Sequence, residues 1–339
     1  MGFNGLPKQE DNNGVRITRV PGIRKYKATC EAHELLSFLV SAFPVVVNRL
    51  SKNDYDVIHV HFIIPTGLLA FLATRFSNVP IIITSHGSDI PGYNPDRFGF
   101  LHRFTKPLLR LIMNDAASIV SPSLYLKELI TEQCGKYTIE HIPNGIDVSR
   151  FNVRKKQKRI LMAGRILRRK GFQHVLAALR DVDTDFEVHV AGNGPFLDDL
   201  KEISSTLSLD VTFHGWLDND STLLQELYET SSIFCLPSAN ENASVALLEA
   251  MLAGMAVVTS DVTGCPETVG GTGLLVSPGD TNQIRDALVR LTSSESLCSE
   301  LGYAARQRVL HFYDWERVGS RYIDLFESHR THSQESTLP

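Results

Sequence analysis

The chain has 339 residues, of which 43% are hydrophobic and 21% are charged, and its formal net charge is −4 at pH 7. This length suits two domains of about 150 residues each, and the balance of apolar and charged residues is typical of a globular protein. A nucleic-acid-binding protein would normally carry a basic excess, which this sequence lacks, so we expect no nucleic-acid partner.

The cysteines and the apolar stretches restrict the cellular compartment. The five cysteines are odd in number and form no C-x-x-C motif, which excludes a disulfide framework and a cysteine-rich zinc site and favours a reducing compartment. Residues 1–11 lack the apolar core of a signal peptide. The longest uncharged stretch, 57–74, contains His59, His61 and Pro65, and it therefore predicts a buried strand and helix rather than a membrane span. We expect a cytoplasmic protein and leave open a peripheral contact with the inner membrane surface.

Short β-branched apolar runs alternate along the chain with segments of helical periodicity. In the first half the runs lie at 15–20, 57–62, 81–84, 117–120 and 138–142. In the second half they lie at 159–163, 186–191, 211–214, 233–236, 256–259 and 273–276. Continuous apolar runs indicate strands that are covered on both faces, and their alternation with helices indicates parallel, doubly wound sheets. Such sheets bind ligands at the carboxyl ends of their strands.

Turn chemistry marks a boundary between two domains. The segment Pro143-Asn144-Gly145-Ile146-Asp147 is followed by a stretch, 154–170, that contains nine lysines or arginines and no acid. We therefore predict one Rossmann-like domain over 1–148 and a second over 149–312. A single apolar stripe then predicts a helix over 314–329.

The strongest chemical signal is the segment from Glu241 to Glu249, which follows the run at 233–236. A helix that begins near Ser244 leaves backbone N–H groups free in its first turn, and such groups attract phosphate. Glu241 then lies in the loop before the helix, and Glu249 lies about one turn inside it. A carboxylate can accept two hydrogen bonds from a vicinal diol such as that of ribose. The alternative, an ordinary loop acid and a solvated helix residue, is not excluded by the spacing alone.

A second signal is basic and covers 162–171, where a strand ends at Gly164. Arg165 and Lys170 could neutralise a diphosphate, and each contact would contribute on the order of a few kcal/mol in a partly shielded cleft. The remaining cations of this region favour a solvated basic face, with a weak role at a membrane surface left open. These cations are Lys155, Lys156, Arg168 and Arg169.

A third signal is His86, which follows an apolar strand within Thr84-Ser85-His86-Gly87-Ser88-Asp89. A lone histidine is more often structural, but a position directly after the carboxyl end of a strand, among small residues, favours a functional role. His59 and His61 alternate along their strand without a recognisable metal-ligand partner. We therefore predict that these two histidines are structural or line the cleft.

Two further strands end in segments that could bring backbone close to a ligand. Gly192 lies in the small-residue turn 191–195, which is weak evidence by itself. Leu217 follows His214-Gly215-Trp216, where the backbone could contact a nucleobase edge, although Trp216 could equally be a packing residue.

Taken in order, these segments resemble the retaining GT-B glycosyltransferases of family 4, the glycosyl transferases group 1 set. The matching motifs are HGSD at 86–89, PNGID at 143–147, GRILRRKG at 164–171, GNGP at 192–195, HGW at 214–216 and E-x7-E at 241–249. The resemblance covers about residues 13 to 328, and six motifs in the right order are specific although each one is modest. It implies an α/β fold of two Rossmann-like domains that face a cleft, with the helix at 314–329 returning to the first domain.

The resemblance also implies a reaction: a sugar moves from a nucleoside diphosphate to an acceptor with retained anomeric configuration, without a metal or other cofactor. The donor is then a UDP-, GDP- or ADP-sugar, and the acceptor is a glycan, a lipid-linked molecule or a small molecule. Glu249 would bind the ribose diol, while Glu241 and His86 would contact the donor sugar as the catalytic pair. The residues that we count as donor-binding are Gly164, Arg165, Lys170, Gly192, Leu217, Ser244, Val245 and Glu249.

The sequence departs from the family pattern in two places, and the first departure produces a second hypothesis. Family members open with a strand, a Gly-rich loop, a helix and another strand before the segment that resembles 13–17, so we expect the first domain to be incomplete. Asn242-Ala243 replaces the usual glycine and large apolar residue, which could alter the donor-sugar preference. The alternative function is a truncated, catalytically inactive module that binds a nucleotide or a partner. A sugar-nucleotide epimerase is a third hypothesis, which the E-x7-E and GRILRRKG motifs disfavour.

Overall fold

The computed structural model describes residues 6–23, 32–52, 55–93 and 95–330. The described chain divides into two compact units. The first holds the described residues up to Ser121, the segment Lys127–His141 and the residues from Tyr322 onward. The second holds Pro122–Leu126 and Ile142–Arg321.

The first unit opens with a β-hairpin. Strand β1 (Gln9–Asn12) pairs antiparallel with β2 (Val15–Thr18) in a register that sets Asn12 opposite Val15. The two residues between them, Asn13 and Gly14, have φ of 52° and 85°, as a two-residue hairpin turn of right-handed twist requires. The expectation that the run at 15–20 joins a parallel sheet is therefore wrong, because the Asn-Gly turn pairs it with its neighbour in the chain.

The first unit otherwise contains a parallel sheet with helices between its strands. In chain order its elements are α1 (Ala32–Leu50), β3 (Ile58–His61), α2 (Leu68–Ala73), β4 (Ile81–Thr84), α3 (Pro95–Asp115), β5 (Ser118–Ser121), α4 (Leu124–Cys134, whose first turn belongs to the second unit) and β6 (Ile139–His141). Strands β3, β4, β5 and β6 are neighbours in that order, and every pairing is parallel. Strand β4 is buried along its whole length, as its continuous apolar run predicts.

The second unit contains a six-stranded sheet in which every pairing is parallel. Its elements are β7 (Gln157–Ala163), α5 (Phe172–Leu179), β8 (Glu187–Ala191), α6 (Leu197–Thr206), β9 (Val211–Gly215), α7 (Thr222–Thr230), β10 (Ser231–Leu236), α8 (Val245–Leu252), β11 (Ala256–Ser260), α9 (Cys265–Val269), β12 (Leu274–Val276), α10 (Thr281–Thr292), α11 (Glu295–Phe312) and the start of α12 (Trp315–Ser328). The strand order is β12-β11-β10-β7-β8-β9, so the order reverses between β7 and β10. A reversal of this kind opens a ligand-binding crevice at the carboxyl ends of the strands. The predicted α/β fold with parallel sheets is confirmed.

The chain enters the main part of the second unit between residues 141 and 142. The sequence analysis placed the domain boundary between residues 148 and 149. The PNGID motif at 143–147 belongs to the second unit, because Ile146 forms a β-bridge with Asp314. The N–H of Ile146 also donates a hydrogen bond to the carbonyl of Tyr313 at 2.8 Å. An aromatic contact adds to this, since a Cβ placed on Gly145 would lie 2.7 Å from the Trp315 ring.

Helix α12 crosses from the second unit into the first at Tyr322. There the Tyr322 ring lies 5.2 Å from the His59 ring and its hydroxyl lies 3.3 Å from Oγ1 of Thr84. One ring nitrogen of His329 lies 3.0 Å from the carbonyl oxygen of Ala117. Within the described ranges, none of the helices combines the length and the apolar character that a bilayer crossing requires.

Candidate active site

The carboxyl ends of three neighbouring strands meet in the second unit. Ala163 of β7 pairs with Ala191 of β8, which pairs with Gly215 of β9. The two predicted glycines follow directly: the N–H of Gly164 donates to Ala191 at 3.0 Å, and that of Gly192 donates to Gly215 at 2.7 Å. A Cβ on Gly192 would lie 1.9 Å from the carbonyl oxygen of Gly164, and its φ is +139°. Close backbone approach therefore requires glycine at position 192.

The ends of β7 and β10 carry the loops that bring the predicted cation and carboxylate together. Arg168–Lys170 form a short 3₁₀ turn, and the carbonyl of Arg169 accepts hydrogen bonds from Ala239 N–H at 2.8 Å and from Ser238 Oγ at 3.0 Å. Lys170 Nζ makes an ion pair with the carboxylate of Glu241. The two side chains are only 14% and 10% exposed, so this pair is largely shielded from water. The interpretation of Glu241 as an ordinary loop acid does not account for this shielded ion pair.

The loop that carries Glu241 is fixed by contacts with the segment after β11. Glu241 N–H donates to Oγ1 of Thr263 at 3.1 Å, and its carbonyl accepts from Gly264 N–H at 2.8 Å. A Cβ on Gly264 would lie 1.5 Å from the carbonyl oxygen of Asn242. Asn242, the residue that departs from the family pattern, is buried and accepts a hydrogen bond from Ser123. Its side chain therefore helps to hold the loop.

Helix α8 begins four residues after Glu241, next to Ser244, where the sequence predicted its start. Ser244 is the N-cap residue; it is buried and its backbone is extended. Within the part of the chain that the structure describes, its side chain makes no capping hydrogen bond. Val245 is the first helical residue, and its side chain is 47% exposed. The N-terminus of α8 thus offers the partial positive charge of its first-turn N–H groups, which is suited to an anion.

Glu249 lies inside α8 with its side chain only 12% exposed. One carboxylate oxygen lies 3.1 Å from Nη2 of Arg150, and the hydroxyl of Tyr228 donates a hydrogen bond to the carboxylate. Burial raises the pKa of Glu249, while the Arg150 charge and the Tyr228 hydrogen bond act in the opposite direction. A solvated helix residue, the alternative left open by the spacing, would not have these contacts.

Two predicted donor-binding residues lie at the surface of the same unit. Arg165 is exposed, and Leu217 is half-buried. Beside Leu217, the Trp216 side chain is 59% exposed and its indole N–H donates to the Asp218 carboxylate at 3.0 Å. Trp216 is therefore not a core packing residue.

The predicted solvated basic face is partly wrong. Lys156 is half-buried, and its Nζ donates to the carbonyls of Glu229 at 3.1 Å and Ala253 at 2.7 Å. Burial lowers the pKa of Lys156 to about 8. Lys155, Arg168 and Arg169 are exposed, as the prediction of a basic face requires. Lys156 thus satisfies carbonyls at the ends of α7 and α8 instead of facing solvent.

His86 belongs to the first unit, where it forms a cluster with His59 and His61. His86 Nε2 lies 2.9 Å from His61 Nδ1, and His59 Nε2 lies 2.8 Å from Oγ1 of Thr84. Burial, together with the neighbouring histidines, lowers the pKa of His59 and of His86 to about 4. Both rings are therefore neutral at pH 7 and are suited to neutral hydrogen bonding.

Sequence reasoning missed Arg150 and Tyr228, the partners of Glu249. Arg150 lies three residues after the PNGID motif, and Tyr228 lies on the helix before β10. No spacing pattern joins either residue to Glu249, because the contacts form only when β7, β10 and α8 come together.

Among the described residues there is no group of three or more His, Cys, Asp or Glu side chains arranged to hold a metal ion.

Comparisons with known proteins agree with this architecture. The family model described as Glycosyl transferases group 1 matches residues 146–308, and the model described as Glycosyltransferase Family 4 matches residues 4–150. The chain is 25% identical over 350 residues to N-acetyl-alpha-D-glucosaminyl L-malate synthase of Bacillus anthracis, covering 95% of this chain and 87% of that protein.

Two solved structures share the fold. Sucrose-phosphate synthase from Thermosynechococcus elongatus superimposes with a TM-score of 0.81 at 22% identity, covering 96% of this chain and 87% of that one. Anabaena HepE, solved in complex with UDP-glucose, superimposes with a TM-score of 0.73 at 16% identity, covering 86% of this chain and 82% of that one.

Proposed function

This chain belongs to the family 4, group 1 GT-B glycosyltransferases, and we propose that it transfers the sugar of a nucleoside diphosphate sugar with retention of anomeric configuration and without a metal ion. The observation that carries this proposal is the pair formed by Lys170 and Glu241 beside the N-terminus of α8. In a shielded position, a cation and a helix N-terminus favour a diphosphate, while a carboxylate accepts hydrogen bonds from sugar hydroxyls.

The proposed reaction places the charges where this chain can stabilise them. The bond between the anomeric carbon and the diphosphate oxygen breaks, and the leaving diphosphate takes the electron pair. Lys170, Arg165 and the first-turn N–H groups of α8 stabilise the negative charge that develops there. The acceptor oxygen bonds to the same face of the sugar, and its proton moves to an oxygen of the leaving phosphate. Glu241 accepts hydrogen bonds from the hydroxyls of the donor sugar.

The names of similar proteins indicate which donors and acceptors to test first. HepE was solved with UDP-glucose, which makes UDP the first nucleotide to test, with GDP and ADP beside it. The Bacillus anthracis relative is named as a synthase of N-acetyl-alpha-D-glucosaminyl L-malate, so small hydroxylated acids join glycans and lipid-linked molecules as candidate acceptors. We place the reaction in the cytoplasm, because buried thiols such as Cys235 and Cys265 are free. A contact with the inner membrane surface would bring the enzyme to a lipid-linked acceptor.

The alternative, an inactive binding module, is not favoured. Family models of glycosyltransferases match both halves of the chain, at 4–150 and 146–308. In addition, the second unit keeps Lys170 and Glu241 in a shielded ion pair, which a module that only binds a protein partner would not need.

A thermal-shift screen of the purified chain with UDP, GDP and ADP tests the first step. We expect one diphosphate to stabilise the chain by about 2.7 kcal/mol at a hundredfold excess over its dissociation constant. Its sugar conjugate is then used to measure turnover, and NMR of the product reports the anomeric configuration. Glu241→Gln should lower turnover while nucleotide binding persists, whereas Glu202→Gln, on the exposed face of α6, should leave turnover unchanged. The proposal fails if no diphosphate binds or if the product is inverted.

A further inference from the structure

Glu249 is held by two residues that the sequence did not connect with it. Nη2 of Arg150 lies 3.1 Å from a carboxylate oxygen of Glu249 and also donates to the carbonyl of Asn219 at 3.1 Å. One guanidinium nitrogen therefore bridges the carboxylate on α8 and the loop between β9 and α7. The Cζ atom of Arg150 lies 5.2 Å from the centre of the Phe151 ring, so this ring supports the guanidinium from one side.

Tyr228 holds the same carboxylate from α7. Its side chain is among the largest fully buried ones, and its ring lies 5.0 Å from Phe151 and 6.1 Å from Phe234. A buried phenol hydroxyl needs a hydrogen-bond partner, and here the partner is Glu249. Aromatic packing therefore fixes the ring, and the ring in turn fixes the position of the carboxylate.

We infer that Arg150 and Tyr228 are positioning residues for ribose recognition, which keep the Glu249 carboxylate ionised and oriented to accept two hydrogen bonds from the ribose diol. This inference rests on the proposed function. An ionised carboxylate can accept one hydrogen bond from the diol at each oxygen, whereas a protonated carboxyl group is a donor at one of them. Burial favours the protonated form of Glu249, and Arg150 supplies the opposing charge.

The bridge to Asn219 gives Arg150 a second effect at the same site. Asn219 lies two residues after Leu217, the predicted contact for the base. Arg150 thus joins the ribose-binding carboxylate on α8 to the loop that follows the predicted base contact. Loss of the guanidinium removes both contacts, whereas Tyr228→Phe removes a contact with Glu249 alone.

Calorimetry with matched nucleotides tests the inference. The probes are the diphosphate that wild type binds best among UDP, GDP and ADP, and its 2′,3′-dideoxy counterpart. Wild type should prefer the ribonucleotide by about tenfold to a hundredfold, as two hydrogen bonds to a charged group imply. Arg150→Ala and Tyr228→Phe should reduce this preference to about threefold or less, with dideoxynucleotide affinity within about twofold of wild type. Arg150→Lys should restore part of the preference.

The control variant is Lys158→Ala, whose exposed ion pair with Asp185 lies away from Glu249. It should keep the full preference for ribose. Tyr228→Phe retains the buried ring, so it tests the inference even if Arg150→Ala does not fold. Equal weakening of both nucleotides in the Arg150 and Tyr228 variants would show a merely structural role and overturn the inference. Tighter ribonucleotide binding by Arg150→Ala would also overturn it, because the arginine would then compete with the ribose. If wild type binds no diphosphate, the proposed function itself fails.

Discussion

The ion pair between Lys170 and Glu241 gives the most direct test of how the second unit is built. Replacement of Lys170 by methionine removes the cation but keeps most of the side-chain volume. Glu241 is then left as a carboxylate that is only 10% exposed and has lost its ion-pair partner. Breaking one side of a buried pair costs more than the pair contributes, because the remaining charge stays desolvated.

The expected size of this effect follows from the burial of the pair. A fully buried pair loses 3–5 kcal/mol when one partner is removed, and the slight exposure of these two side chains reduces our expectation to about 2–3 kcal/mol. For a unit of this size, that loss corresponds to a melting temperature lower by roughly 5–10 °C. Replacing both residues, as Lys170→Met with Glu241→Gln, removes both charges and should recover much of the lost stability.

Urea unfolding of the single variants and the double variant measures these free energies. If Lys170→Met unfolds like wild type, or if the two single effects simply add in the double variant, the reasoning is refuted. The same variants test function, because a nucleoside diphosphate should raise the melting temperature of wild type and should raise that of Lys170→Met much less.

Two further predictions concern the rest of the molecule. The pKa values of His59 and His86 fall from 6.5 to about 4 on folding, so the unfolded chain binds more protons between these pH values. Stability from these residues is therefore fully present above pH 6.5 and is lost as the pH falls, by about 2 kcal/mol for each ring at pH 5. Urea unfolding at pH 7.5 and pH 5 should show this loss, and His86→Gln should lose less between the two pH values; an unchanged pH dependence would contradict the assignment. Gly264→Ala should unfold at a markedly lower temperature, because its Cβ would lie 1.5 Å from the Asn242 carbonyl oxygen, whereas Gly319→Ala, with open space around the new Cβ, should be neutral or stabilising. Equal melting temperatures for the two glycine variants would refute the packing argument.

The fold was largely predictable from local patterns, because a run such as Ile81–Thr84 is continuous and β-branched and can be buried only between two layers of helix. The hairpin at β1 and β2 shows where the same reasoning failed: it weighed the apolar run but not the Asn13-Gly14 turn before it. Local patterns predict which strands and helices form, and turn residues decide which strands are neighbours.

The site was predictable only in part. Motif order identified Lys170 and Glu241, but their pairing spans 71 positions and depends on how the loops after β7 and β10 fold against each other. The contact of Arg150 with Glu249 is similar, since no periodicity relates a residue in the loop before β7 to one inside α8. The sequence also did not predict the burial of Lys156. This residue belongs to a basic run, but its Nζ donates hydrogen bonds to buried carbonyls.

The central claim is that the second unit holds the donor diphosphate at the carboxyl ends of β7 and β10. A crystal structure of this chain with the best-binding nucleoside diphosphate tests it most directly. The account predicts phosphate oxygens within hydrogen-bonding distance of Lys170 Nζ and of the first-turn N–H groups of α8, with the ribose hydroxyls on Glu249. A nucleotide that is ordered elsewhere, with Lys170 still paired to Glu241 and Glu249 untouched, would contradict it.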